Sequence, residues 1–169
     1  MKEIQLPDGK ITRVDDEDYG WLSRMTWKIK PKLHGYYVSS TSSRIGDMHR
    51  LIMGAKRGQQ VDHIDHDTLN NTKINLRICT KSQNEMNKGL MITNTSGYKG
   101  VTWRVKLGKW EAYISAGKLR TTNPIGHIRH KSLHLGYYES PKLAALAYDD
   151  AAIKYFGEFA LTNKMLGLL

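Results

Sequence analysis

Between Val101 and Leu135 the chain repeats one pattern three times, an apolar residue followed by a polar one, and this periodicity limits the fold more than any other feature. Val101, Trp103 and Val105 alternate with Thr102, Arg104 and Lys106; Trp110, Ala112 and Ile114 alternate with Glu111, Tyr113 and Ser115; Leu133 and Leu135 flank His134. Successive strand side chains point to opposite faces, so the runs read as strands with one apolar face and one polar, mostly basic face. The apolar face needs a cover, and the sequence supplies one. Ser140 is a good helix N-cap, Pro141 suits the first helical position, and Gly157 ends the helix. Ala144, Ala147, Tyr148, Ala151, Ala152 and Tyr155 recur at three- and four-residue spacing, a stripe able to lie on that face.

The preceding residues carry a different pattern. IQLPDGKITRV reads as a hairpin with Asp8-Gly9 at its tip, and YGWLSRMTWKI and GYYVSS supply aromatics for a small core. The acidic run Asp15 to Asp18 reads as a solvated turn, with a helix N-terminus or a metal lure as the alternatives. From Gln60 the order is strand (Gln60 to His63), polar loop, second strand (Asn75 to Cys79), then a helix. Thr80 with Gln83 three residues later forms a possible capping box, and the helix is expected to stop at Gly89. The polar stretch ITNTSG places a boundary near Met91 to Thr95. The expected fold class is α+β in two small domains, residues 1–92, β-rich over residues 1–57, and residues 93–169.

Charge indicates the partner. Lysine and arginine total 26 against 16 aspartates and glutamates, a net +10, which suits a polyanion. The excess is uneven: +4 over residues 1–58, zero over 59–92 and +6 over 93–169. The neutral middle segment is where carboxylates are free to collect a cation. The single cysteine, Cys79, forms neither an internal disulfide nor a cysteine-rich zinc cage, and its apolar setting NLRIC reads as a core thiol. No apolar run is long enough to span a bilayer and MKEIQLPDGK is not a secretory signal, so a cytoplasmic protein with no membrane partner is expected.

The segment Met48 to Lys88, MHRLIMGAKRGQQVDHIDHDTLNNTKINLRICTKSQNEMNK, resembles the HNH endonuclease family. The resemblance implies a ββα-metal core in which two strands and a helix enclose one divalent ion. Its first motif is the strand-borne pair Asp62 and His63, its central asparagine is Asn75 in INL, and its helix-borne residue is Asn84. The chemistry suits these types. Phosphodiester hydrolysis needs an activated water and charge stabilisation, and a histidine can take a proton from water at neutral pH. The resemblance makes His63 that base. Asp62 and the amide oxygen of Asn84 then hold one Mg²⁺ or Mn²⁺, hard ions that keep several waters. Asn75 is expected to hold the imidazole and the intervening loop. Because neighbouring strand residues face opposite ways, the Asp62–His63 pair requires a strand end or a bulge. Asn70 and Asn71 read as structural. The position after His-Ile-Asp, commonly glycine in the family, is His66, expected to face solvent. His49 is expected to pack or to contact phosphate.

Residues 96–163 resemble the ethylene-response-factor, or Apetala-two, type of DNA-binding domain through SGYKGV, GKWEAYI, LGYYES and AALAYDDAAIKYFGEFALTN. In that family the polar sheet face enters the major groove, where each base pair presents a distinct pattern. By position the candidate readers are Lys99, Thr102, Arg104, Lys106, Tyr113 and His134, with Trp103 and Trp110 in the core beneath the helix. Thr102 and Ser115 stand where arginine is frequent, so the plant target does not transfer. GKLRTTNPIGHIRH, residues 117–130, reads as a longer loop whose Arg120, Arg129 and histidines extend along phosphates or face solvent. Together the resemblances imply a site-preferring, metal-dependent endonuclease of the homing type, like those of phage genomes. It would cut duplex DNA as a monomer or weak dimer, leaving 5′-phosphate and 3′-hydroxyl ends. The alternatives are a DNA-binding transcription regulator with an inactive nuclease half, and a structure-specific repair or packaging nuclease.

Overall fold

A computed structural model describes residues 1–32, 35–122 and 128–169. The protein is α+β, with small antiparallel sheets and four α-helices among the described residues, and divides into two compact units, Met1–Asn84 and Glu85–Leu169.

The first unit begins with the expected hairpin, β1 (Lys2–Gln5) against β2 (Ile11–Val14). Gly9 turns it at φ 80°, a conformation glycine adopts without a Cβ penalty. Helix α1 (Asp16–Leu22) follows, then the pair β3 (Trp27–Lys32) and β4 (Gly35–Ser40), and the short helix α2 (Met48–Ile52). Ile4, Leu6, Val14, Leu22, Trp27, Val38 and Met48 form its core, and the Trp27 indole N–H donates to the Leu22 carbonyl. The acidic run is not a free turn. Asp16, Glu17 and Asp18 occupy the first turn of α1, where the positive helix end favours carboxylates. Asp15 meanwhile accepts from the Lys73 backbone N–H at 2.7 Å, and the Lys73 ammonium pairs with Glu17 and Asp18. The run therefore fastens a segment far along the chain.

Strands β5 (Gln60–His63) and β6 (Leu76–Cys79) pair antiparallel, with Asp62 opposite Arg77 and His63 opposite Leu76. The second strand begins one residue later than expected, because Lys73–Asn75 form a 3₁₀ turn. Cys79 is buried, and burial together with the Asp62 charge pushes its thiol up to about 11, so it is an inert core thiol. Helix α3 (Lys81–Met86) opens on the expected capping box: the Thr80 hydroxyl accepts from Gln83 N–H at 3.2 Å while Gln83 Oε1 accepts from Thr80 N–H at 2.8 Å. It ends at Met86, short of Gly89.

In the second unit β7 (Val101–Arg104), β8 (Lys109–Thr122) and β9 (Ile128–Tyr138) form a three-stranded antiparallel sheet in that order. Helix α4 (Pro141–Phe156) packs on one face; the Ser140 hydroxyl caps it by accepting from Leu143 N–H, and Gly157 closes it. Its alanines let the helix lie close: Ala144 and Ala145 meet Val101 and Ala112, while Tyr148, Ala151, Ala152 and Phe156 pack around Ile114. Phe156, not the expected Tyr155, completes the stripe; Tyr155 is exposed. Asn163, fully buried, ties the C-terminal segment down, its side chain bonding the Lys99 backbone and Asp149.

Two expectations fail here. Strand β7 ends at Arg104 and the chain enters a 3₁₀ turn, Val105–Leu107, reversed by Gly108 at φ 59°. Val105 is therefore 82 % exposed, and Trp103 is 43 % exposed against Trp110 instead of lying beneath the helix. The expected loop is largely ladder: β8 continues to Thr122 and β9 starts at Ile128, with Arg120 opposite His130 and Thr121 opposite Arg129. The tip of that segment, residues 123–127, lies outside the described residues.

Candidate functional site

Strand β5 ends at His63, the strand end that the Asp62–His63 pair requires. The imidazole is buried, with its ring centroid 5.2 Å from that of His49 on α2 and 6.0 Å from that of Tyr37 on β4. Its Nε2 lies 3.2 Å from Asn71 Oδ1. Asn71 is itself oriented: its Nδ2 donates to the Thr12 hydroxyl at 2.8 Å, and that hydroxyl donates to the Leu69 carbonyl at 2.8 Å. A hydroxyl that spends its proton on a carbonyl accepts from the amide, so the amide oxygen faces His63. A carbonyl oxygen only accepts, so Nε2 carries the hydrogen and Nδ1 carries the lone pair. Burial holds the His63 pKa below its ordinary value, against the opposing pull of the Asn71 hydrogen bond and of Asp65 and Asp62. At neutral pH the ring is a base of fixed tautomer. His49, pressed against it and buried, is pushed down to about 4 by burial and by the His63 charge; it packs and carries no charge for a phosphate.

Asp62 is buried and its Oδ2 accepts from Arg77 Nε at 2.9 Å and Nη2 at 2.7 Å. Asn84, half-buried on α3, donates through Nδ2 to Gln60 Oε1 at 2.7 Å, which leaves its oxygen as the atom suited to a cation. Gln60 lies two residues before Asp62, on the same face of β5, so Asn84 is fastened on the Asp62 side of the strand. Asn75 pins the loop: its Oδ1 accepts from Asp65 N–H and its Nδ2 donates to the Asn70 carbonyl. Asn71, a residue that the sequence alone reads as merely structural, is a partner of the imidazole. His66 is exposed and stands at φ 65°, the one non-glycine residue in the left-handed region among the described residues, a conformation that glycine adopts without a Cβ penalty.

On the second unit the structure gathers four of the six candidate readers. Thr102, Arg104, Tyr113 and His134 line one open cleft with Ser132, around Glu111. Lys106 lies off the sheet in the 3₁₀ turn. Lys99 turns inward: its ammonium donates to the carbonyls of Met86 and Leu161, and burial brings it down to about 8. It is a packing lysine in this structure and does not line the cleft. Glu111 and Arg77 carry no signal in the sequence; only the strand registers reveal what they face.

The HNH endonuclease family model matches residues 48–86, and the AP2 domain model matches residues 96–158. An uncharacterized HNH endonuclease of Acanthamoeba polyphaga mimivirus is 37 % identical over 163 residues, covering 93 % of this chain and 76 % of that protein. Protein 3.8 of Escherichia phage T7 is 35 % identical over 60 residues, 36 % of this chain and 50 % of that protein. An ethylene-responsive transcription factor of Arabidopsis thaliana is 33 % identical over 103 residues, 61 % of this chain and 58 % of that protein. The buried Asp-His strand end, the capped helix that follows it and a likeness extending over nearly the whole chain agree: the protein belongs to the HNH endonuclease family and carries an AP2 domain after its HNH segment.

Proposed function

We propose that the chain is a site-preferring, metal-dependent endonuclease of the homing type that hydrolyses phosphodiester bonds in duplex DNA. The division of labour is nuclease in residues 1–92 and DNA reading in 93–169. The observation that carries the reading is the relay from the Leu69 carbonyl through Thr12 and Asn71 to His63, which supports a neutral imidazole with its lone pair on Nδ1. In this role His63 takes a proton from the attacking water, Asn71 keeps the ring in the productive tautomer, and Asn75 holds the loop that follows.

The donors fit a hard divalent ion in a ββα-metal arrangement. They are one carboxylate and one amide oxygen on the same side of β5, oxygen donors of the kind hard divalent ions take. Asp62 and Asn84 would hold one Mg²⁺ or Mn²⁺, which when bound supplies charge stabilisation to the phosphate oxygens. Arg77 fixes the Asp62 carboxylate. The exposed Arg104 and His134, with Thr102 and Tyr113, would read the major groove, and the net charge of +10 supports a polyanionic partner.

A regulator with an inactive nuclease half has one observation in its favour: Arg77 already neutralises the carboxylate proposed as ligand. Incubation of the protein with supercoiled plasmid and Mg²⁺ decides between them. Open-circle or linear product that disappears with EDTA is expected; binding without strand breakage in Mg²⁺ or Mn²⁺ would establish the regulator.

A further inference from the structure

A carboxylate on a surface that meets phosphate repels its partner unless it is buried and neutralised. Glu111 is both: its side chain is 9 % exposed, while the side chains of Arg104 and His134, which flank it, are 53 % and 46 % exposed. Its Oε2 accepts from Arg104 Nε and its Oε1 accepts from His134 Nδ1, the latter at 2.8 Å. These bonds outweigh the effect of burial and hold its pKa below the ordinary glutamate value, so Glu111 is a carboxylate at neutral pH. His134 is gripped a second time by Tyr137, whose ring centroid lies 4.5 Å away.

We infer that Glu111 is a positioning residue that sets sequence preference, holding Arg104 and His134 in the orientation in which they read bases. The inference rests on the reading that this sheet face meets DNA. Engaging Arg104 through Nε leaves its terminal nitrogens as a donor pair, the geometry that suits guanine N7 and O6. A carboxylate only accepts, so His134 carries a hydrogen on Nδ1, and in the neutral ring Nε2 is an acceptor suited to the amino group of adenine or cytosine.

The test uses the full chain in EDTA, with the duplex that it enriches from a randomised pool and a mixed-sequence duplex as probes. In Glu111→Gln, the ratio of the two affinities should fall by about fivefold or more. Affinity for the mixed duplex should hold or rise, because a negative charge has been removed next to phosphate. A merely structural role would weaken both. In an Arg104→Ala, His134→Ala background, Glu111→Gln should cost no further preference. An equal loss there would make Glu111 a base-reading residue in its own right and overturn the clamp, as would an unchanged ratio in the single variant. Full preference in the Arg104→Ala, His134→Ala protein would instead remove the sheet face as reader, and the clamp with it.

Discussion

Thr12→Val tests the relay at a distance from the chemistry. Thr12 lies in β2, is fully buried and bonds Asn71, not His63. Valine keeps its shape and removes only the hydroxyl. The Leu69 carbonyl and Asn71 Nδ2 then each lose a buried partner, which costs about 1–3 kcal/mol of stability, measurable by urea unfolding. The amide of Asn71 also loses what orients it. The bias it transmits to the His63 ring is that of one buried hydrogen bond, about 1 kcal/mol, so the productive tautomer and the cleavage rate should fall by about twofold to tenfold. The assay is single-turnover cleavage of supercoiled DNA in saturating Mg²⁺, without denaturant and at a temperature where the variant is folded, with DNA affinity measured alongside. Affinity should not change. Thr12→Ser keeps the hydroxyl and should keep the parent rate. Equal rates for the Val and parent proteins, or equal deficits for Val and Ser, would refute the relay.

His49 gives the first unit a pH dependence. Its folded pKa of about 4 lies below the unfolded 6.5, so stability is complete above pH 6.5, declines as the pH falls toward 4 and then levels off; the gap amounts to roughly 3 kcal/mol. Denaturant titrations from pH 7 to 4 should show this slope and His49→Gln should flatten it; parallel curves would contradict the assignment. Gly100 stands at φ 73°, and a Cβ there would come within 1.9 Å of the buried Tyr148 ring, so Gly100→Ala should destabilise the second unit by about 3 kcal/mol or more, read as a lowered Tm. An unchanged Tm would show that the ring moves freely. Asp62→Asn should raise the Mg²⁺ concentration for half-maximal cleavage about tenfold, and a titration identical to the parent's would remove Asp62 as ligand.

What the sequence made legible is what neighbouring residues decide. Thr80 with Gln83, Ser140 with Pro141, and Gly9 each act within a turn of chain, and each element begins or reverses where those residues place it. The strand alternation gave the sheet and its helical cover, but it overran into Val105, because alternation does not show where a ladder stops. The candidate site divides the same way. Asp62 and His63 were visible as a motif. Asn71 was not, because its meaning comes from Thr12, 59 residues away, and from the side of the imidazole it meets. Arg77 and Glu111 became meaningful only through register, which sets the first opposite Asp62 and the second diagonally across from Arg104. Position in the Apetala-two resemblance likewise made Lys99 a candidate reader, whereas the carbonyls of Met86 and Leu161 draw it inward.

In the proposed mechanism His63 is the base of a hydrolytic site and not a buried packing histidine. The most direct measurement pairs plasmid cleavage in Mg²⁺ with duplex affinity for the parent and for His63→Ala, after a melt has shown both folded. A general base lowers the barrier and contributes little to binding, so cleavage should fall by about 100-fold or more while affinity stays within about twofold. Near-parental cleavage by the folded alanine variant would contradict the account.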